Sequence, residues 1–183
     1  MLITLILTLW ALGQPSLQLP TNARKALDNK FPIWQHLQYS KEYYGNQIID
    51  VDRNSKPILK CQLNDDTVPD YVLGIVIKED TTLTVHFVAL VSNEDSFSVL
   101  TLASYKNPNP MMFYLYLYPR DTEIVNFGWD QANVPPELLR TFDEETMTSR
   151  FSTDCIALFH TDKNYCIAFV FQTGRFWSFS SCD

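Results

Sequence analysis

The chain has 183 residues, a hydrophobic content of 46%, an aromatic content of 14% and a formal net charge of −7. This composition excludes a disordered chain, because disordered segments are poor in apolar and aromatic residues. The acidic charge argues against non-specific binding to nucleic acid, whose phosphates attract basic proteins. The length fits one domain that can bury a substantial core.

The first residues have the pattern of a signal peptide. Residues 2–12 form an apolar run that is too short to span a bilayer. Small residues at the −3 and −1 positions predict that residues 1–13 are removed before Gln14, which leaves 14–183 as a single mature domain. A buried N-terminal strand or helix is the alternative, because no basic residue precedes the apolar run. We expect a periplasmic or secreted protein with no membrane insertion after signal cleavage.

The pattern after the signal peptide predicts an α+β fold. Thr21 is a candidate N-cap for a helix over TNARKALDNKF that ends at Pro32, and SKEYYGNQIID adds a second short helix. A helical turn is also expected at PPELLRTF. We predict a mainly antiparallel sheet of about eight short strands, in one sheet or a strongly bent one, with one or two N-terminal helices. The strand candidates are PILKCQL, YVLGIVIK, LTVHFVALVS, FSVLTLASY, MMFYLYLYP, DCIALFH, YCIAFVF and RFWSFS.

The segment QLNDDTVPDYVLGIVI, residues 62–77, has the spacing of a calcium-binding loop that leads into a buried strand. Calcium loops place oxygen ligands at alternating positions, and a backbone carbonyl is one of them. Calcium is therefore the candidate cofactor of this chain. The positions with this spacing are Gln62, Asn64, Asp66, the Val68 carbonyl and Asp70.

The loop resembles the D-x-[DN]-G-D-G-x-x-D loops of FG-GAP/VCBS-type repeats. It is closer to the D-F-x-G-D-G-K-P-D-Y-A loop of a group of uncharacterised secreted bacterial proteins. That group has an F-P-G-W-like element, matched here by FPIW at residues 31–34, and a C-terminal segment matched by DCIAL at 154–158, GRF at 174–176 and SCD at 181–183. The resemblance implies an exported bacterial protein of unknown function.

The loop departs from that pattern at three positions. Gln62 replaces the first Asp, and Asp65 and Thr67 replace both glycines. A neutral amide is a weaker calcium ligand than a carboxylate, and a bend without glycine is penalised. The alternative interpretation is a loop without metal, in which Asp and Asn side chains accept hydrogen bonds from nearby backbone amides. In that case Asp70 ties the loop to the strand that follows.

The cysteines predict two disulfides in an oxidising compartment. They include no C-x-x-C pair, which argues against zinc. A tight turn at residues 161–164 would place Cys166 opposite Phe159 and Cys155 four residues farther along the ladder, too far for a bond to Cys166. A further turn brings Cys166 close to the level of Cys182. The favoured pairs are Cys61–Cys155 and Cys166–Cys182.

The sequence contains no recognisable catalytic motif. It has no nucleophile elbow, no zinc-protease motif and no phosphate-binding glycine loop. Two of the three histidines, His86 and His160, lie in strand candidates, and His36 follows the first predicted helix. A hydrolase that uses the acidic clusters at 65–66 and 143–145 is an alternative, but such clusters are usually solvated. We therefore expect no enzymatic activity.

The strand candidate FYLYLYP supplies a candidate binding surface. Strand alternation places its three tyrosines on one face and its apolar side chains on the other. An open row of tyrosines, joined by Trp129, would form an amphipathic surface that stacks on sugars or contacts a protein. The alternative is a face covered by the N-terminal helix or by residues 127–150. The three residues are Tyr114, Tyr116 and Tyr118.

Three functions follow from these patterns. The first is an exported non-catalytic binding module, such as an inhibitor or immunity-type protein that recognises another protein. It rests on the acidic charge, the predicted disulfides and the row of tyrosines. The second is a calcium-stabilised structural domain of the cell envelope. The third is a hydrolase that uses carboxylates.

Overall fold

The computed structural model describes residues 18–37, 58–108, 113–160 and 165–181. The predicted signal peptide, the predicted helix over SKEYYGNQIID and Cys182 lie outside these residues. The described elements are α1 (Thr21–Lys30), β1 (Gln35–His36), β2 (Ile58–Cys61), β3 (Asp70–Glu79), β4 (Thr82–Asn93), β5 (Ser96–Lys106), β6 (Phe113–Tyr118), β7 (Glu123–Val125), α2 (Pro136–Leu139), β8 (Phe142–Asp143), β9 (Thr148–Arg150), β10 (Cys155–His160), β11 (Tyr165–Gln172) and β12 (Arg175–Ser180).

The predicted class, mainly antiparallel strands with few helices, is confirmed. Each of the eight strand candidates contains one strand, namely β2 to β6 and β10 to β12. The prediction of one sheet is wrong, because the described strands form three. The first sheet contains β1 to β5, the second has the order β12-β11-β10-β6, and the third has the order β7-β9-β8. The strands that the prediction missed, β1 and β7 to β9, are two or three residues long.

The first and second sheets pack face to face around the main hydrophobic core. Side chains that alternate along β3 and β4 meet side chains from β6, β10 and β11 there. The fully buried members include Val72, Phe87, Leu115 and Ile156. This packing fixes the orientation of β6, because one face of that strand is needed for the core.

Each of these two sheets is also covered on its outer face. Helix α1 lays Ala23 and Leu27, one turn apart, on the outer face of the first sheet. The third sheet and α2 cover part of the outer face of the second sheet, where Leu138 packs near Trp177. Both faces of β3 are thus buried, which explains its nearly continuous run of apolar residues.

The predicted N-cap of α1 is wrong by one residue. Thr21 is the first helical residue, and Pro20 is the N-cap with φ −55° and no side-chain hydrogen bond. The carbonyl of Pro20 accepts a hydrogen bond from the Arg24 amide at 2.9 Å, so this proline begins the helix through its backbone. The helix ends at Lys30, before Pro32, and the helical turn predicted at PPELLRTF is α2.

The predicted Cys61–Cys155 disulfide is not formed, because both residues are buried free thiols. Their backbones are close, since the Asp154 amide donates to the Gln62 carbonyl at 2.9 Å. Their side chains, however, belong to different clusters. Cys61 packs between the first and second sheets, whereas Cys155 packs beneath the third sheet. A disulfide requires Cβ atoms that point toward each other, and these two do not meet that condition.

The register predicted for the other cysteines is confirmed as far as the described residues extend. Phe159 pairs with Cys166 across β10 and β11, as the tight turn at 161–164 predicted. The amide of Ser181 donates to the carbonyl of Cys166 at 3.2 Å, which places Ser181, the last described residue, beside that cysteine. The Cys166–Cys182 bond stays a prediction, since Cys182 lies outside the described residues.

Candidate functional site

The loop between β2 and β3 is anchored at its first residue by Asp154. One carboxylate oxygen of Asp154 accepts a hydrogen bond from the Gln62 amide at 2.8 Å, and the other accepts from the Arg120 amide at 2.9 Å. The carboxylate thus joins the loop, the end of β6 and the start of β10. Sequence reasoning missed this role, because nothing in the local sequence marks Asp154 as a partner of residue 62.

Asp70, the first residue of β3, holds the other end of the loop. Its side chain is fully buried and accepts hydrogen bonds from the backbone amides of Leu63 at 2.6 Å, Asn64 at 3.4 Å and Ser92 at 2.7 Å. The Ser92 hydroxyl lies 2.8 Å from the same carboxylate. Burial raises the pKa of Asp70, and the hydrogen bonds from Ser92, Leu63 and Asn64 oppose that rise. Asp70 therefore uses both oxygens inside the protein.

Asp66 is held by a second set of donors. Its carboxylate accepts from the Val68 amide at 2.8 Å and from Nδ2 of Asn64 at 3.0 Å, and it lies 2.8 Å from the Ser92 hydroxyl. That hydroxyl has one hydrogen, so it donates to Asp66 or to Asp70 but not to both. Burial acts to raise the pKa of Asp66, but the hydrogen bonds from Ser92, Val68 and Asn64 outweigh it and lower the pKa.

The centre of the loop is filled by the side-chain amide of Gln62. Its Nε2 atom lies 3.4 Å from the Asn64 carbonyl, 3.5 Å from Oδ1 of Asn64, 3.3 Å from Oδ1 of Asp66 and 3.4 Å from the Val68 carbonyl. It also donates to the Asp66 carbonyl. Three of the predicted calcium ligands, Asn64, Asp66 and Val68, therefore do converge on one point, and that point is a nitrogen atom of the protein.

These residues do not fit a calcium ion. The centre is taken by Gln62, and the fourth predicted ligand, Asp70, directs its oxygens to Leu63, Asn64 and Ser92. Calcium would need six to eight oxygens at about 2.3–2.6 Å. Within the described ranges, no group of three or more His, Cys, Asp or Glu side chains is arranged to hold a metal ion.

The tyrosines of β6 lie where strand alternation predicts. Phe113 and Leu115 are buried between the first and second sheets, while Tyr116 and Tyr118 are half-buried on the opposite face. The rings of Tyr116 and Tyr118 are in a T-shaped contact with centroids 4.8 Å apart. The ring of Phe159 on the neighbouring strand β10 lies 6.4 Å from that of Tyr116. The side chain of Tyr114 lies outside the described part of the structure.

This surface, formed by Tyr116, Tyr118 and Phe159, is called the tyrosine edge below. Strand β6 is the last strand of the second sheet, and among the described strands only β10 pairs with it. Tyr118 packs against the cluster beneath the third sheet, so that end is partly covered. The predicted cover by residues 127–150 thus applies to one end only, and α1 packs on the other sheet.

Trp129 does not belong to the tyrosine edge. It forms a bridge with Phe179 of β12, the strand at the opposite end of the second sheet from β6. Its ring lies 5.2 Å from that of Phe179 and 6.3 Å from that of Phe151. Its indole nitrogen is buried and has no hydrogen-bond partner among the described residues. Trp129 packs against the cluster beneath the third sheet, as Tyr118 does, but its ring contacts lie on the β12 side of that sheet.

His86, Cys61 and Cys155 belong to residue types that often perform catalysis, and each lies in a partly or fully buried position. His86 hydrogen-bonds to the Ser104 hydroxyl at 2.7 Å, and burial, with a smaller effect of Lys30, lowers its pKa. Burial also raises the pKa of the Cys61 and Cys155 thiols, which keeps them protonated.

The other histidines and the acidic cluster at 143–145 are also accounted for. His36 makes a T-shaped contact with Trp34, with ring centroids 4.7 Å apart, and His160 packs edge-on against Phe113 at 4.6 Å. Asp143 accepts a hydrogen bond from the Glu145 amide at 2.9 Å, so this cluster forms an exposed turn. The two histidines thus take part in ring packing, and Asp143 takes part in a turn.

A groove of about 300 Å³ lies between the loop, α2 and the turn after β11. Sequence reasoning missed it, because its walls come from four separated segments. Its polar lining is made mostly of residues on turns and loops. The polar side chains that line it include Asn64, Asp65, Glu137, Thr141, Thr153 and Gln172.

Comparison of the chain with protein-family models, with curated proteins and with solved structures gives no match. The resemblance to secreted bacterial proteins therefore stays a prediction. In the described ranges, neither helix is long and apolar enough to cross a membrane.

Proposed function

We propose that this protein is an exported, non-catalytic binding module that recognises another protein through the tyrosine edge. The observation that carries the proposal is the position of Tyr116 and Tyr118, which are half-buried on the face of β6 opposite the main core. Tyrosine is enriched at interfaces because it combines a large apolar ring with a hydroxyl that stays hydrated or bonded.

The side chains of the tyrosine edge suit contact with another protein. Half-buried aromatic rings give a large contact area, and a tyrosine hydroxyl can add a hydrogen bond. We therefore propose that the partner contacts the tyrosine edge through its side chains.

The charge of the chain favours a basic partner. The net charge is −7, and acidic surfaces attract cationic partners and speed their association. The roles of His86, Cys61 and Cys155 in packing support a module that binds and does not catalyse. The alternative of a hydrolase has no comparable support, because the acidic cluster at 143–145 forms a turn.

Capture of the partner from an extract of the source cells tests the proposal. Wild type is compared with Tyr116→Ser and with Phe127→Ser, a matched control that removes an exposed aromatic ring elsewhere. Tyr116→Ser should weaken binding of the captured protein by about 2 kcal/mol, or roughly 30-fold, if the residue is an interface hot spot. Phe127→Ser should change it less than about threefold.

Two results would contradict the proposal. One is equal binding by wild type and Tyr116→Ser, which would place the interface elsewhere. The other is weaker binding by Phe127→Ser with unchanged binding by Tyr116→Ser. A photo-crosslinking residue at position 116 gives an independent readout, since it should form a covalent adduct with the partner, whereas the same residue at exposed Ile33 should not.

A further inference from the structure

The centre of the 62–70 loop has an arrangement that neither of the sequence interpretations included. The Nε2 atom of Gln62 lies within 3.5 Å of five oxygens, which come from Asn64, Asp66 and Val68. Three of these oxygens are backbone carbonyls, and two are side-chain oxygens. All five point at one atom, as oxygens do around a bound cation.

We propose that the side-chain amide of Gln62 takes the position of the metal ion in this loop, so that the loop closes without calcium. Calcium loops need the ion because their oxygens would otherwise face one another across an empty centre. Here a donor that belongs to the chain fills the centre. The departure at the first position, Gln in place of Asp, is then the change that removes the need for metal.

The surroundings require a nitrogen, and not an oxygen, at this position. Carbonyl and carboxylate oxygens accept hydrogen bonds and do not donate them, so Oε1 of Gln62 would meet five acceptors there. The orientation of Asn64 agrees, because its Nδ2 donates to Asp66 at 3.0 Å and to the Ser92 carbonyl at 3.0 Å. This leaves Oδ1 of Asn64 turned toward Gln62.

The distances also suit an amide better than an ion. Four of the five contacts are 3.3–3.5 Å long. Two N–H groups shared among several acceptors give such long contacts, while calcium holds its ligands at about 2.3–2.6 Å. The ring of oxygens would have to contract around Gln62's position before it could hold calcium.

The buried and half-buried carboxylates of the loop are stabilised by hydrogen-bond donors and not by a cation. Asp70 accepts from the amides of Leu63 and Ser92, and Asp66 accepts from the amide of Val68. The third acidic residue, Asp65, is exposed to solvent. Replacement of the first carboxylate by an amide leaves no buried charge in the loop that lacks hydrogen-bond donors.

Thermal melting of three proteins tests the inference. They are wild type, Gln62→Glu, which replaces the amide by a carboxylate of the same shape, and Gln35→Glu, which makes the same change on an exposed residue. Each is melted with a chelator and with calcium at about 10 mM, above the Kd of weak extracellular sites.

The wild-type Tm should be the same within about 1 °C with chelator and with calcium, because no bound ion contributes to stability. Gln62→Glu should lose about 5 °C or more in chelator, since its carboxylate faces five oxygens, and calcium should restore most of that loss. Gln35→Glu should melt within about 1 °C of wild type in both conditions.

Several results would overturn the inference. A wild-type Tm that rises with calcium would show that the loop binds the ion after all. The inference also fails if Gln62→Glu is as stable as wild type in chelator, or if calcium does not restore its lowered Tm. Either result would show that the Gln62 amide does not occupy the position of an ion. If Gln62→Glu does not fold, Gln62→Met can replace it in the experiment, because methionine has a similar length and no hydrogen-bond donor. The Tm of Gln62→Met should be lower than that of wild type, and an equal Tm would overturn the inference.

Discussion

The sequences of the 62–70 loop and of the tyrosine edge both predict binding. The polar side chains of the loop, however, bond inside the protein, whereas the tyrosines are partly exposed. In the loop, Gln62 donates to Asp66, and the carboxylates of Asp66 and Asp70 accept hydrogen bonds from nearby backbone amides. At the tyrosine edge, Tyr116 and Tyr118 contact each other and stay half-buried. The polar side chains of the loop thus find their partners inside the protein, whereas Tyr116 and Tyr118 keep part of their surface exposed.

The difference follows from where each segment enters the sheet. The loop runs directly into β3, a strand buried on both faces, so any polar atom near its start must find a partner inside the protein. Strand β6 lies at the end of its sheet and uses only one face for the core. On its other face, Tyr118 packs against the cluster beneath the third sheet and Tyr116 is half-buried.

The largest effect is expected from Asp70→Ala. This change leaves the buried amides of Leu63 and Ser92 without acceptors, and each unpaired donor costs about 1–3 kcal/mol, so we expect a total loss of about 3–5 kcal/mol. Urea unfolding measures it. Asp65→Ala in the same loop is the control, because Asp65 is exposed and should cost less than about 0.5 kcal/mol. Equal losses in the two variants would mean that the loop is not closed around Asp70.

The next prediction compares the loss of unfolding free energy after truncation on each face of β6. Leu115 is 1% exposed in the core, and Leu115→Ala should cost about 2–4 kcal/mol of unfolding free energy. Tyr116→Ser, at the next residue, should cost about 1 kcal/mol, since its side chain is half-buried. Chemical denaturation of both variants gives the comparison. A loss of 3 kcal/mol or more for Tyr116→Ser, by the scale of core truncations, would show a covered layer and remove the basis of the tyrosine edge.

The smallest effect is expected on the pH dependence of the unfolding free energy. The lowered pKa of Asp66 means that the ionised carboxylate stabilises the fold at neutral pH, and this stability is lost as the pH falls through that pKa. Asp70 acts with the opposite sign, because its raised pKa favours the protonated form in the folded chain. Below about pH 4, Asp66→Asn should therefore lose stability less steeply than wild type. Parallel curves of unfolding free energy against pH would contradict the role of Asp66.

The strands could be predicted from the sequence, while their division into sheets could not. Eight apolar runs with polar turns identify the strands, and a tight turn fixes the pairing of Phe159 with Cys166. The number of sheets depends on contacts between distant segments, such as those that place α2 and β7 to β9 on the second sheet. The directions of the Cys61 and Cys155 side chains also depend on that packing, so the predicted bond between them was wrong.

The candidate sites, like the sheets, could be predicted only where they depend on local sequence. Alternation along β6 correctly places Tyr116 and Tyr118 on one face, because a strand has a fixed period. The spacing of Asn64, Asp66 and Val68 correctly indicates that their oxygens converge. Spacing alone does not show what they surround, because the position of the Gln62 side chain is set by the closed loop. Trp129 bridges to Phe179 of β12, a pairing that the sequence does not reveal because β12 lies far along the chain.

Proton–nitrogen NMR of the folded chain tests whether Gln62 closes the loop in place of a metal ion. The side-chain NH₂ group of Gln62 should exchange with solvent much more slowly than that of exposed Gln35, and calcium should shift no resonance of residues 62–70. Fast exchange at Gln62, or calcium-dependent shifts confined to this loop, would contradict it.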